Sequence, residues 1–354
     1  MKKVLLGTSA LALVGAFAAP AAAAEWDIRL GGYMEQHPAY STFDTPGNTD
    51  FDGFDVDSDQ EFYFRPEITL DNGIKISARM DFEGASSGGV DEPRMIISGA
   101  FGSVTLGEDD LASYDVGVAA PDVTFVNINS GSTTSFHPLA LGLIGTSTGN
   151  MTRTTFAQVA SDPAGIKYFT PRFAGFQAGV SYARDPNRSN NDQQVDTEVP
   201  GQLHDIFGFG ANYSASFGGV DIAASGGYSF GSVTGGDDHE AYQAGLNVGF
   251  FGVTVGGSFG EANNSGGTGA TDGRTWDAGV AYEVGPWGFS FTYLYSEQAS
   301  GAGDLELDEF LFGVNYDLAQ GVALNAWVNY ADYGGAGQVD TDGFVVGTGI
   351  KASF

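Results

Sequence analysis

Strict alternation of apolar and polar residues, sustained over segments long enough to cross a membrane, constrains this chain more than any other feature. From Ile74 to Glu83, Ile74, Ile76, Ala78, Met80 and Phe82 share one face; Lys75, Ser77, Arg79, Asp81 and Glu83 share the other. A period of two belongs to a strand with two unlike faces. The preceding segment repeats it, with Phe62, Phe64, Pro66, Ile68 and Leu70 set against Glu61, Tyr63, Arg65, Glu67 and Thr69. Asp71-Asn72-Gly73 between them is a strong hairpin signal.

The pattern continues along the chain and gives sixteen strands, from about Trp26–Gln36 to Phe344–Phe354. Tight turns, such as Gly218-Gly219 and Gly285-Pro286, alternate with longer polar loops, such as Ser41–Asp59 and Asp185–Asp205. An even number of strands, with tight turns at one rim and long loops at the other, predicts an all-β fold: a transmembrane antiparallel β-barrel of 16 strands. A propeller would repeat every four strands, and no such repeat is present. The third long loop, about Glu108–Ala164, far exceeds the others. A connection of that length is uncommon in a compact domain unless it is functional or disordered, and we expect it to fold into the lumen and set the bore. Within it Val123–Ile128 alternates as a short strand would, and Pro138–Ile144 is apolar enough to seek burial or a neighbouring subunit.

The first residues predict export. Lys2-Lys3, an apolar run Val4–Ala19, and Pro20 with Ala21 to Ala24 form a basic region, an apolar region and a small-residue cleavage site. We therefore expect residues 1–24 to be a cleaved signal peptide and residues 25–354 to form a single barrel domain. There is no cysteine, which excludes disulfides and thiolate chemistry. The formal net charge of −30 argues against nucleic acid and against a polybasic membrane anchor. After the signal no apolar stretch is long enough for a transmembrane helix, so a membrane-spanning chain has to be a barrel. Aromatic residues sit near strand ends on the apolar face, among them Trp26, Tyr182, Tyr228, Trp276, Trp287, Tyr316 and Tyr330. The two lipid–water interfaces favour that placement. The opposite, inward set is Asn, Ser, Gly, Gln and charge; Trp327 points inward against that rule.

Three segments carry a resemblance. Gly102-Ser103-Val104-Thr105-Leu106-Gly107-Glu108-Asp109-Asp110, followed by Tyr114-Asp115, looks like a strand leading into a pore-narrowing third loop. Lys167-Tyr168-Phe169-Thr170-Pro171-Arg172-Phe173-Ala174-Gly175-Phe176-Gln177-Ala178-Gly179-Val180-Ser181-Tyr182 looks like the hairpin after that loop. The chain ends Lys351-Ala352-Ser353-Phe354, similar to an assembly signal in which Phe354 closes an alternating strand. The chain thus resembles the trimeric general-diffusion porins of Gram-negative bacteria, most closely the alphaproteobacterial branch. The resemblance implies an outer-membrane homotrimer in contact with lipid and lipopolysaccharide, passing ions and small hydrophilic solutes. A basic residue common in relatives after the Leu-Gly step is Glu108 here, so ion preference does not transfer.

Arg29, Arg65, Lys75, Arg79 and Arg94 all fall on the predicted inward face, because charge is costly against lipid. Glu108, Asp109, Asp110, Asp115 and Asp122 open the long loop. Opposed across a narrow bore, these rows would set up a transverse field that filters solutes by charge and dipole. The rival reading pairs the basic residues with wall carboxylates such as Glu61, Glu67 and Asp81. The net charge favours cations; the basic cluster opposes that preference. Asp55, Asp57 and Asp59 have calcium-like spacing, but Gln60 replaces the turn glycine of a calcium loop, and a solvated acidic loop is the competing account. Beyond that calcium site, no cofactor is expected. His37, His137, His204 and His239 sit singly without zinc spacing. Gly145-Thr146-Ser147-Thr148-Gly149 matches a nucleophile pattern without its strand-to-helix setting. An outer-membrane hydrolase therefore lacks its parts, and a secreted soluble β protein leaves the aromatic placement unexplained. A substrate-selective channel would show an aromatic track in the bore, which Tyr33 and Trp327 alone do not make.

Overall fold

A computed structural model describes residues 25–45, 51–84, 89–129, 132–138, 154–186, 199–265, 272–299, 303–335 and 340–354. The strands are β1 Asp27–Asp44, β2 Phe51–Thr69, β3 Lys75–Glu83, β4 Val90–Gly99, β5 Gly102–Glu108, β6 Ala164–Phe169, β7 Phe176–Ala183 and β8 Leu203–Phe217. They continue as β9 Val220–Val233, β10 His239–Phe250, β11 Val253–Asn263, β12 Gly273–Val284, β13 Trp287–Gln298, β14 Leu305–Ala319, β15 Val322–Gly335 and β16 Thr341–Ser353. Each pairs antiparallel with its neighbours in sequence, and β1 pairs with β16, so the 16-strand barrel is closed. Closure leaves no edge of unpaired backbone facing lipid, which a membrane-spanning sheet requires. Phe354 completes the seam: its N–H donates to the Gly32 carbonyl at 3.0 Å, and the Gly32 N–H returns the bond at 3.1 Å.

The hairpin signals act as expected. Gly73, at φ 80°, turns β2 into β3 while the Ile74 N–H donates to the Asn72 side chain at 3.0 Å. The long-loop ends run beyond the sequence expectation on β1 and β2. Among its described residues the segment read as loop Ser41–Asp59 is mostly strand, with Phe54 and Val56 exposed on the outer face and Asp55, Asp57 and Asp59 on the other.

Outward aromatics form two belts. On the long-loop side, Tyr182–Phe207 (4.9 Å between ring centroids), Tyr228–Tyr242 (4.9 Å), Trp276–Tyr293 (4.9 Å) and Tyr330–Phe344 (4.8 Å) pack across neighbouring strands from β7 round to β16. On the tight-turn side, Trp287 lies 4.5 Å from Tyr316. Outward apolar residues such as Val248, Phe291, Phe312 and Val346 are exposed between them. In a soluble protein that band would be a liability; in lipid it is the solvent-matched face.

The buried core lies inside the barrel, between the third loop and the wall beneath it. Val126, Ile128 and Phe136 of the loop pack with Leu294, Leu307, Leu311, Trp327 and Val345 of β13 to β16. Leu111, Ala157 and Val159 pack with Ala183, Ile206 and Ala241 of β7, β8 and β10. The inward face is therefore not polar throughout, as the sequence suggested: it turns apolar where the loop covers it. Trp327 is one of these positions. Its indole lies against Gly347, where any Cβ would collide with it, and its other side meets Phe136 at 5.6 Å.

Candidate functional site: the lumen and its third loop

The loop leaves β5, forms a single helical turn, α1 (Ala112–Asp115), and then follows the inner wall. Side chains of successive strands hold its backbone. Ser181 on β7 accepts from the Ala112 N–H (3.0 Å), Gln243 on β10 donates to the Ser113 carbonyl, and Ser225 on β9 accepts from the Val118 N–H (3.0 Å). Asn247 donates to the Ala119 carbonyl (2.9 Å), and Asp277 on β12 accepts from the Ala120 N–H (3.1 Å). Ser290 on β13 accepts from the Val123 N–H (3.2 Å). Each bond satisfies a backbone group that an irregular segment would otherwise leave unpaired. The wall beneath is paved with glycine. A Cβ at Gly227 would come within 2.6 Å of the Ser113 carbonyl oxygen, and one at Gly245 would overlap that of Val118. The far end docks through His137, whose ring nitrogens meet Tyr333 and Asn329, each at 2.7 Å. Val123–Ile128 forms no strand: the Val123 N–H donates to Ser290 of the wall and the Thr124 N–H to Asp122 of the loop itself. The apolar run Pro138–Ile144 lies outside the described residues from residue 139 onward, as do the GxSxG match and residues 1–24.

At the root of the loop Arg94 binds Glu92 (2.6 Å) and Asp109 (3.4 Å), and Lys167 on β6 binds Asp109 (2.6 Å) and Asp115. Asp110 accepts from Gln158 at 2.6 Å. Glu92, Asp110 and Asp162 bring carboxylate oxygens within 4.8 Å of one another. Burial, reinforced by Asp162, Asp115 and Glu92, pushes the Asp110 carboxyl up to about 8, against the pull of Lys167. Burial also raises Asp115, although Lys167 opposes the rise. Asp122 stands apart from the other loop acids. It accepts from Ser290 (3.0 Å) and from the Thr124 N–H (2.9 Å), so it pins the loop to β13 instead of facing the basic residues.

The basic residues fall into groups. Of the two predicted rows, Arg94 and Asp109 meet directly, as an ion pair at the loop root. Arg29 binds Asp27 (2.7 Å) and Glu67 (3.7 Å), Lys75 binds Glu67 (2.9 Å), and Arg79 binds Asp81 (2.5 Å), all on their own wall. Arg65 lies over the Tyr63 ring at 3.9 Å, with Arg79 at 5.6 Å from the same ring. Tyr63 and Tyr33 are 6.2 Å apart. Lys351 of β16 binds Glu35, lies 4.4 Å from Tyr33 and 5.7 Å from Phe125 of the loop. A row of cations and rings thus crosses β3, β2, β1 and β16 and ends at the loop. Lys167 and Lys351 escaped the sequence reading. Alternation alone places Lys167 inward opposite Thr105, whereas pairing Lys351 with Glu35 needs the register of the β1–β16 seam.

Asp55, Asp57 and Asp59 do not make a calcium loop. They are alternate residues of extended β2, about 7 Å apart per step, opposite Ala39, His37 and Glu35, so the backbone cannot wrap them round one ion. Asp59 instead accepts from the Tyr33 hydroxyl at 2.9 Å.

A closed barrel with a lipid-matched exterior, a charged interior and a loop folded inside defines a channel of the bacterial outer membrane. The chain belongs to the Gram-negative porin family, whose model matches residues 8–336. It is a porin for passive diffusion. Among solved structures it is similar to the anion-selective porin from Comamonas acidovorans, with 18% identity over 93% of this chain and 100% of that one, at a TM-score of 0.65. It is also similar to OmpT, an outer membrane protein of Vibrio cholerae, with 13% identity over 93% and 99% at 0.61. Salmonella typhi OmpF, in a complex with daunomycin, aligns at 15% identity over 92% and 97% at 0.60. No curated protein matches it.

Proposed function

We propose that the chain is a homotrimeric general-diffusion channel without catalytic activity. Its bore is the space between the third loop and the inner faces of β1 to β4 and β16. The observation that carries this reading is the row Arg79, Arg65, Tyr63, Tyr33 and Lys351, which ends against Phe125 of the loop. In this reading Arg65 and Arg79 narrow the bore and hold back a cation preference that the acidic chain would otherwise impose. The loop-root pairs of Arg94 and Lys167 fix the position of the opposite side, and Arg29 and Lys75 sit nearer the tight-turn rim. Ions and small hydrophilic solutes cross down their gradients.

Replacing both Arg65 and Arg79 by Ala is expected to raise single-channel conductance and move the reversal potential in a salt gradient toward cation selectivity. Planar-bilayer recording reads both quantities at once. Unchanged conductance with an unchanged potential would remove this pair from the constriction. Trimerisation is supported by the outer face of β1 to β5. There Ile28, Leu30, Met34, Met80, Met95 and Leu106 are exposed, and Ser58 donates to Gln36 at 2.9 Å on the side that would meet lipid. Polar groups are costly against lipid and acceptable against protein, and Met suits adaptable protein contacts. In this reading, lipid and lipopolysaccharide contact the aromatic-belted remainder.

A further inference from the structure

Arg65 differs from every other basic residue of the open wall. Arg79 is paired with Asp81, Lys351 with Glu35, and Lys75 with Glu67. Among the described residues Arg65 makes no ion pair, and its Nε is buried without a hydrogen-bond partner. It lies over Tyr63 at 3.9 Å. A guanidinium stacked on a ring keeps its in-plane N–H edge for an acceptor, and that edge matches a carboxylate in two-point contact. Arg65 as a whole is only half-buried, and its terminal nitrogens, which are not enclosed, are the part that a solute can reach.

The neighbours define what arrives. Tyr33 and Tyr63 lie 6.2 Å apart at an interplanar angle of 53°, so together they offer an apolar corner rather than a flat stack. Lys351 and Phe125 close its far side. The hydroxyl of Tyr33 is held by Asp59, which fixes the ring. Asp59 and Glu61 are also the inward residues of β2 that precede Tyr63 on the long-loop side, so they repel a solute carrying two negative charges. One carboxylate on a planar apolar body satisfies all of these groups together.

We propose that Arg65, Tyr63, Tyr33 and Lys351 form a transit subsite for small aromatic monocarboxylates. The inference rests on the channel reading and sharpens it: the bore stays open to small solutes, and this class dwells at the row. The carboxylate takes the terminal edge of Arg65 while the ring lies against Tyr33, and Lys351, held by Glu35, closes the far side. No bond is made or broken.

The test records single channels of the full-length protein in potassium chloride with added benzoate, acetate or phthalate at matched ionic strength. Benzoate is expected to interrupt the current in a concentration-dependent way, and acetate and phthalate are expected to do so far more weakly. Arg65→Lys retains the charge and loses the planar two-point edge, and should raise the half-blocking benzoate concentration about fivefold or more. Tyr33→Leu, which leaves every charge in place, should do the same and guards against a folding defect in the first variant. Arg274→Gln, in an exposed pair with Glu297 at 2.7 Å on the outer surface, should leave the block as it is. Benzoate behaving like acetate, or a block indifferent to both Arg65→Lys and Tyr33→Leu, overturns the subsite and leaves the channel standing. Absence of any chloride-salt conductance overturns both.

Discussion

Gly245 shows how single residues place the loop. A side chain there would overlap the Val118 carbonyl oxygen, whereas a Cβ at Gly226, on the outer face of the adjacent strand, meets nothing nearer than 3.9 Å. Gly245→Ala is expected to cost about 1–3 kcal/mol by overpacking and to shift single-channel conductance, because the backbone it displaces lies on the bore. Gly226→Ala should do neither. Thermal unfolding in detergent and bilayer recording check both variants. Sequence reasoning could not separate these two glycines. Both lie in strands of alternating pattern, and only the track of a distant loop makes one of them indispensable. Trp327 illustrates the same limit: its inward direction follows from alternation, but its reason, Phe136 on one side and Gly347 on the other, comes from contacts remote in sequence.

The third loop is the element whose existence was legible and whose path was not. Its length and the interruption of alternation announced it. Its course follows Ser, Asn, Gln and Asp side chains projecting inward from β7 to β13, and those residues look like ordinary polar wall in a linear reading. Its root is also where pH should act. Asp110 has its carboxyl pushed up to about 8 by burial and by neighbouring carboxylates. A folded-state value above the unfolded one means that the folded loop holds a proton the unfolded chain has released. The stabilisation is therefore fully present below the ordinary carboxyl range, about 4, and is lost as pH rises through about 8. Hydrogen exchange at Ala112–Gly117, corrected for intrinsic rate, should lose protection across that window. Asp110→Asn should flatten the dependence, since its amide cannot ionise. Equal slopes in the two proteins would show that Asp110 does not hold the proton.

At the scale of the whole molecule, the barrel was readable because lipid imposes one rule on every strand: apolar outward and backbone fully paired. That rule does not distinguish a face covered by lipid from one covered by another subunit, since both are apolar. Under the proposed trimer, the side chains on the two faces are expected to distinguish them. The packed long-loop belt runs from Tyr182 on β7 to Phe344 on β16, while the outer face of β1 to β5 exposes Met34, Met80 and Met95 beside Tyr40, Phe54 and the Phe62–Phe82 pair and carries a Gln36–Ser58 hydrogen bond. Lipid tolerates added bulk, because acyl chains rearrange around it. A subunit interface is packed like a protein interior and does not. Met34→Trp with Met95→Trp should therefore shift the assembly toward monomer in unheated gel migration and in chemical cross-linking, each substitution costing about 1–3 kcal/mol at every contact. Val248→Trp, on exposed β10, should leave the assembly intact. If all three substitutions leave it equally intact, subunits do not meet at β1 to β5.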